Sequence, residues 1–258
     1  MPLSPEAFVD ELWGIARQVP MMDHPWFRGI IEHRWTRDQI VLGEVQHYLR
    51  VRTNPIFFGY IAINAVQEKQ YPLMEVVLDN FMEELGGERT HVDIMLQFLE
   101  EAGISREEAD KADPAPGTLA AIEMIVGGCQ RRSALEGLAL LAFVEDQHGG
   151  TQGVAARVYR EMVGHYGFSP RAAETYHLHA EQDEGHGGRQ IDAIRRFATT
   201  DEMQAKIRSA VQLGAWAFNF EWDGHVQAMT GTRTHWEGVG TLDLRAPRAA
   251  SLHGPVGR

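Results

Sequence analysis

The sequence predicts an all-α protein, a bundle of seven to eight helices, and three observations carry that reading. Residues that start helices recur along the chain, apolar residues recur three and four positions apart between them, and no segment alternates as a strand does. Ser4-Pro5 supplies an N-cap and a first-turn proline for a helix over about 5–19, and a second helix follows over about 24–33. Thr36 and Gln39 fit a capping box opening a helix over about 37–68, kinked at Pro55. Ile56, Tyr60 and Ile63 carry the helical spacing there, and Leu73, Val77, Leu78 and Phe81 carry it through the next helix, over about 70–102. Ser105 and Glu108 box a short segment over about 105–111, and Asp113-Pro114-Ala115-Pro116-Gly117 is a loop. Further helices are expected over about 118–149, 151–166, 170–198 after Ser169-Pro170, and 201–229 after Thr200. Residues 1–229 thus form one helical domain, and the Gly-, Arg-, Thr- and Pro-containing stretch 230–258 is expected to be an irregular tail.

Composition narrows the function classes. At 258 residues and 44% hydrophobic, the chain can bury an ordinary core, and its single cysteine, Cys129, excludes an intrachain disulfide and is expected to be a buried small apolar residue. A net charge of -12, from 36 acidic and 24 basic residues, argues against nucleic acid as a partner. The first residues lack a basic and an apolar leader region, and no stretch approaches the roughly 18 apolar residues of a membrane span. A cytoplasmic protein with a small-molecule partner, no membrane partner and room for a homodimer is the expectation.

The 12 histidines are the unusual component. On a helical wheel His179, Asp183 and His186 fall within about 60° of one another, on the face shared with Tyr176, Ile194 and Phe197. Glu174, His177, Glu181 and Glu184 fall on the opposite, solvated face. Burying two imidazoles and a carboxylate on a core face is costly unless they are paired or bind a metal. Two further ligand sources face inward. Glu84 and His91, seven apart, lie within about 20° on a continuous helix, although Gly86-Gly87 between them costs about 1 kcal/mol per glycine and a helix ending there would separate the pair. Glu145 shares a stripe with Ala134, Leu138, Leu141 and Ala142, with Asp146 and His148 as neighbours able to replace it. Three carboxylates and three imidazoles suit two iron ions.

The order E-x6-H, then E, then H-x3-D-x2-H resembles the haem-oxygenase-like di-iron oxidases, relatives of the thiaminase II and pyrroloquinoline-quinone synthase folds. The resemblance runs from about residue 5 to 229 and implies a haem-oxygenase-like bundle with Glu84 and His91 on one helix, Glu145 on the next long one, and His179, Asp183 and His186 after them. It implies a cofactor of two Fe2+ ions with O2 as co-substrate, and an oxidoreductase that oxygenates an amine nitrogen or cleaves a C–C or C–N bond of an amino-acid-derived substrate. Formation of para-aminobenzoate from the enzyme's own tyrosine is disfavoured, because the chain has only Lys69, Lys111 and Lys206 and no tyrosine and lysine placement matching that branch. Helix 37–68 is implied to line the substrate pocket, with Tyr48, Arg50 and Arg52 as substrate-binding candidates and Glu44 or Glu68 as an extra metal ligand. No cysteine lies between Leu138 and Glu145, where thiaminase II carries its nucleophile, so that activity is not expected. The ferritin-like E-x2-H template also occurs, at Glu44/His47 and Glu174/His177, but the second pair lies on the outer face. A metal-independent oxidase of the pyrroloquinoline-quinone synthase type and a non-catalytic binding protein are the alternatives.

Overall fold

The computed structural model describes residues 1–85, 89–148 and 153–231. Residues 86–88, 149–152 and 232–258, and the side chains of Glu83, Glu145, Asp146, His148 and residues 181–187, lie outside the described residues. The expected tail over 230–258 falls almost wholly in that excluded part. Among the described residues the chain forms twelve α-helices and no strand. These are α1 (Pro5–Ala16), α2 (Pro25–Ile31), α3 (Arg37–Val51), α4 (Asn54–Gln67), α5 (Tyr71–Leu85), α6 (His91–Glu101), α7 (Arg106–Asp110), α8 (Pro116–Arg131), α9 (Ala134–His148), α10 (Val154–Gly164), α11 (Glu174–Phe197) and α12 (Asp201–Thr230). No helix is long and apolar enough to cross a membrane among the described residues.

The all-α bundle expectation holds, and the nine helical spans expected along the chain, the short 105–111 segment included, become twelve helices among the described residues because three expected rods are each broken in two. The rod over 37–68 is interrupted after Val51: Thr53 precedes α4, and Pro55, which has no N–H to donate, sits in the first turn of the new helix instead of kinking an old one. The rod over 70–102 ends at Leu85 and restarts at His91, where the Thr90 hydroxyl accepts the Asp93 N–H and the Asp93 carboxylate accepts the Thr90 N–H. The rod over 118–149 breaks at Arg132, whose backbone is extended, and Ser133 and Glu136 cap α9 in the same reciprocal way. The boxes expected at Thr36/Gln39 and Ser105/Glu108 both form. Ser169-Pro170 opens a turn, with α11 beginning at Glu174.

α12 is the spine of the bundle, packed against α8, α9, α3 and α1, while α11 lies on α9 and α10. It meets its neighbours at backbone distance: a Cβ on Gly214 would stand 1.9 Å from the Leu140 carbonyl oxygen, and one on Gly224 would stand 2.5 Å from the Thr118 amide nitrogen. Trp26, Phe27, Phe57, Phe58, Phe98, Phe143 and Trp222 fill the interior, and Cys129 is buried among them as expected. The periodic residues Ile56, Ile63 and Leu78 face outward, and the buried stripe on α4 and α5 is Phe57, Ile61, Ala65, Leu73 and Val77. The wheel for α11 is obeyed where it is described: Tyr176 and Ile194 are buried and His177 is exposed.

Candidate metal centre

Glu84 and His91 are not on one helix. Glu84 closes α5 and His91 opens α6, so the seven-residue helical spacing that paired them does not exist. The turn between the helices nevertheless brings them together, with Glu84 Oε2 3.3 Å from His91 Nδ1. The Thr90–Asp93 box fixes where α6 starts and therefore where His91 projects. Arg89, just before it, clamps Glu174 at the start of α11 with two bonds of 2.6 and 2.8 Å, tying the α5–α6 turn to the helix that carries His179. Glu174 is therefore held in an ion pair and is not a freely solvated acid. The rings of His91 and His179 lie nearly parallel, 5.3 Å between centroids.

Glu84, His91 and His179, far apart in sequence, thus meet at the junction of α5, α6 and α11. Glu145, Asp183 and His186 stand on the described backbones of α9 and α11, but their side chains lie outside the described residues. Among the described residues no group of three or more His, Cys, Asp or Glu is gathered tightly enough to hold a metal ion. The donors that are described, a carboxylate and two imidazoles converging from three helices, fit iron by their chemistry. Burial alone would raise the Glu84 carboxyl, but His91, the Asn54 amide and Arg50 outweigh it and hold Glu84 below the usual carboxylate range, ionised as a ligand must be.

The substrate-pocket candidates separate. The Tyr48 hydroxyl donates to Asp110 at 2.6 Å, and Arg52, 41% exposed, reaches the same carboxylate at 3.3 Å, so both polar groups are engaged with α7. They sit one and five residues past His47, about 100° and 140° around α3 from it, with Tyr48 buried and Arg52 exposed. Arg50 does face inward, but its Nε lies 2.9 Å from Glu221 Oε2. The N–H is not aimed along that line, so the contact is an ion pair and not an aligned hydrogen bond. Glu68 accepts the Ala134 N–H at the start of α9 and borders a separate cleft of about 210 Å3. Eleven residues of helix, about 16 Å, separate that end of α9 from Glu145, which removes Glu68 from the ligand candidates. Glu44 is fully buried, 3.0 Å from His47 Nδ1, and accepts the Tyr176 hydroxyl at 2.5 Å. Burial and then the adjacent Glu44 push the Tyr176 phenol well above its usual range.

Behind Glu44 lies a polar cluster that the sequence reading missed. Glu221 and His225 of α12 meet His47 and Arg50 around a cavity of about 20 Å3, room for one water, walled by Trp26, Phe27, Tyr176, Phe218 and Trp222, and the buried pair His24 and Asp223 adjoins it through Trp222. The signal was present: on a wheel of α12, Glu221 and His225 fall within about 60° of Phe218, on the face of Trp222 and Met229. His24 Nδ1 accepts the Trp26 N–H and its Nε2 lies 3.3 Å from Asp223 Oδ1, an arrangement that fits the neutral ring. Burial depresses His24, with Asp223 opposing, and burial depresses His225 well below its usual range, with the Arg50 charge, and those of His47 and His24 when protonated, adding to the effect. Both rings are neutral in the folded protein at pH values where the unfolded chain is already protonated. The unfolded state then binds more protons, so stability falls as pH drops below about 6.5, by up to about 1.4 kcal/mol per pH unit for each histidine. Urea denaturation from pH 7 to pH 5 is expected to show this loss, and His225→Phe is expected to flatten the slope.

A family model described as "Iron-containing redox enzyme" matches residues 41–219, more than half of the chain. The chain belongs to this iron-containing redox enzyme family. The matched span includes all six expected ligands. Similar curated proteins are the 4-aminobenzoate synthases of Chlamydia muridarum, 23% identical over 213 residues (83% of this chain and 88% of that protein), and of Nitrosomonas europaea, 23% identical over 217 residues (81% and 87%). Similar solved structures are a TenA homologue from P. horikoshii, with a TM-score of 0.67, 16% identity and 87% and 99% of the two chains covered, and a CADD-like protein of unknown function from Nostoc punctiforme, with a TM-score of 0.67, 12% identity and 89% and 99% covered. A Shewanella denitrificans domain with a heme oxygenase-like fold also matches, with a TM-score of 0.62, 14% identity and 88% and 94% covered. The fold is therefore the haem-oxygenase-like one that the order of motifs implied.

Proposed function

We propose that this member of the iron-containing redox enzyme family is a di-iron oxidase or oxygenase that uses O2 on a small amine or amino-acid-derived substrate. The observation that carries the reading is the convergence of Glu84, His91 and His179 from three helices, and the sequence spacing puts Asp183 and His186 at positions of α11 on the same face as His179. In this reading the six ligands are Glu84, His91, Glu145, His179, Asp183 and His186, with Glu44 as the remaining extra candidate. Two bound irons would supply dioxygen activation. The protein's own contribution is to orient the carboxylates and to keep His24 and His225 neutral in the buried cluster between α3 and α12.

A second reading is supported by the names of the relatives: formation of 4-aminobenzoate. The lysine count argued against it, but Tyr176, buried one helical turn before His179, is an internal tyrosine beside the candidate centre. One experiment separates the readings. Iron-loaded protein is given labelled 18O2 with and without amines and amino acids, and the products are weighed by mass spectrometry. The leading reading expects O2 consumption that depends on an added amine, with label in the amine product of an oxygenase or in water or peroxide for an oxidase. 4-Aminobenzoate formed without added amine would favour the second reading, and O2 consumption no faster than that of metal-free protein would remove both.

A further inference from the structure

Arg50, a substrate-binding candidate in the sequence, is already matched by Glu221, and its other bond leads toward Glu84. We propose that Glu221, Arg50 and Asn54 form a positioning chain that fixes the orientation of the Glu84 carboxylate. What Glu84 does rests on the di-iron reading, but the chain itself does not.

The links run in series across four helices. Glu221 Oε2 of α12 lies 2.9 Å from Arg50 Nε of α3. Arg50 Nη1 donates to Asn54 Oδ1 of α4 at 2.6 Å, and Asn54 Nδ2 donates to Glu84 Oε2 of α5 at 3.0 Å. Glu221, Arg50 and Asn54 are all buried, and the Glu84 side chain is 13% exposed. The order of donors and acceptors allows one arrangement only. A guanidinium can only donate and an ionised carboxylate can only accept, so the Asn54 amide must turn its oxygen to Arg50 and its nitrogen to Glu84. The flipped amide would set oxygen against carboxylate and N–H against guanidinium. Glu221 in turn supplies the anion that holds the Arg50 fork in place. His91 Nδ1 approaches the same Glu84 oxygen that Asn54 holds, so both contacts act through Oε2 and neither engages Oε1. Groups behind a metal ligand commonly change metal affinity about 10- to 100-fold when removed.

The test is a titration of metal-free protein with Co2+, followed by visible absorption, and with Fe2+ under anaerobic conditions. Asn54→Ala severs the chain while leaving Arg50 paired with Glu221, and is expected to weaken binding about 10- to 100-fold and to alter the cobalt spectrum. Asn54→Asp keeps the acceptor for Arg50 but sets a carboxylate against Glu84, and should weaken binding further. Asn64→Ala, which removes two bonds to the carbonyls of Cys129 and Arg132 far from Glu84, should lower thermal stability and leave the affinity unchanged. Wild-type affinity and spectrum in Asn54→Ala would overturn the proposal. If the wild-type protein takes up neither metal, the di-iron reading fails and the chain is tested in metal-free protein. The shifts in urea midpoint caused by Glu221→Gln and Glu84→Gln should then be non-additive, and become additive once Asn54 is alanine; additivity with Asn54 present would overturn it.

Discussion

His179→Ala is expected to abolish loading of at least one iron, whereas His177→Ala, two residues away on the same helix, is expected to leave loading unchanged. The two side chains differ in direction. His179 lies parallel to His91 at the junction of α5, α6 and α11, while His177 is exposed and rests on Tyr159 of α10. In the di-iron reading, removing His179 takes away a metal–nitrogen bond, so the expected effect is loss of binding and not a modest weakening. Because His179 is only partly buried, the metal-free variant should fold with nearly wild-type stability, which separates ligand loss from unfolding. Asp183→Ala should behave like His179→Ala, and Glu184→Ala like His177→Ala. Iron per chain after anaerobic reconstitution is the measurement, and equal losses in all four variants would mean that the face of α11 has been assigned wrongly.

Arg50→Met is expected to be the most destabilising of the pocket variants. Arg50 and Glu221 are both buried, and replacing the guanidinium with a thioether leaves the Glu221 carboxylate without its cation. Breaking one side of a buried pair costs about 3–5 kcal/mol, because the stranded charge must be neutralised or solvated. Replacing both partners removes the charge as well as its match, so Arg50→Met combined with Glu221→Leu should recover most of the loss. Urea denaturation of the two single variants and the double variant checks this. A double variant as unstable as the sum of the singles would show that the pair is not the source of the cost.

The fold was legible because helix signals are local. Ser4, Thr36, Ser105 and Thr200 start the helices they were expected to start, and the hydroxyls of all four accept the predicted backbone N–H. The helix count was less legible for the same physical reason. Thr90–Asp93 and Ser133–Glu136 are capping boxes too, but each stands inside an apolar periodicity that continues past it and hides the break. The error had a local consequence, since Glu84 and His91 meet through a turn and not along a helix. Their proximity depends on how α5 and α6 pack, which no spacing rule encodes. Arg50 illustrates the remaining limit. Its inward direction follows from the wheel of α3, but its partner lies 171 residues later on α12, and a carboxylate at that distance in sequence is indistinguishable from one on a bound substrate. Glu221 and His225 were readable in principle, as polar residues on the Phe218–Trp222 face of α12, by the same test that singled out His179 and Asp183.

The central claim is a two-iron centre, and its most direct test is metal analysis of the full chain after anaerobic reconstitution with ferrous iron and removal of excess metal. The account predicts about two irons per chain, as its six-ligand set requires, with a rise in thermal stability on loading. Near-zero iron with an unchanged melting temperature would contradict it.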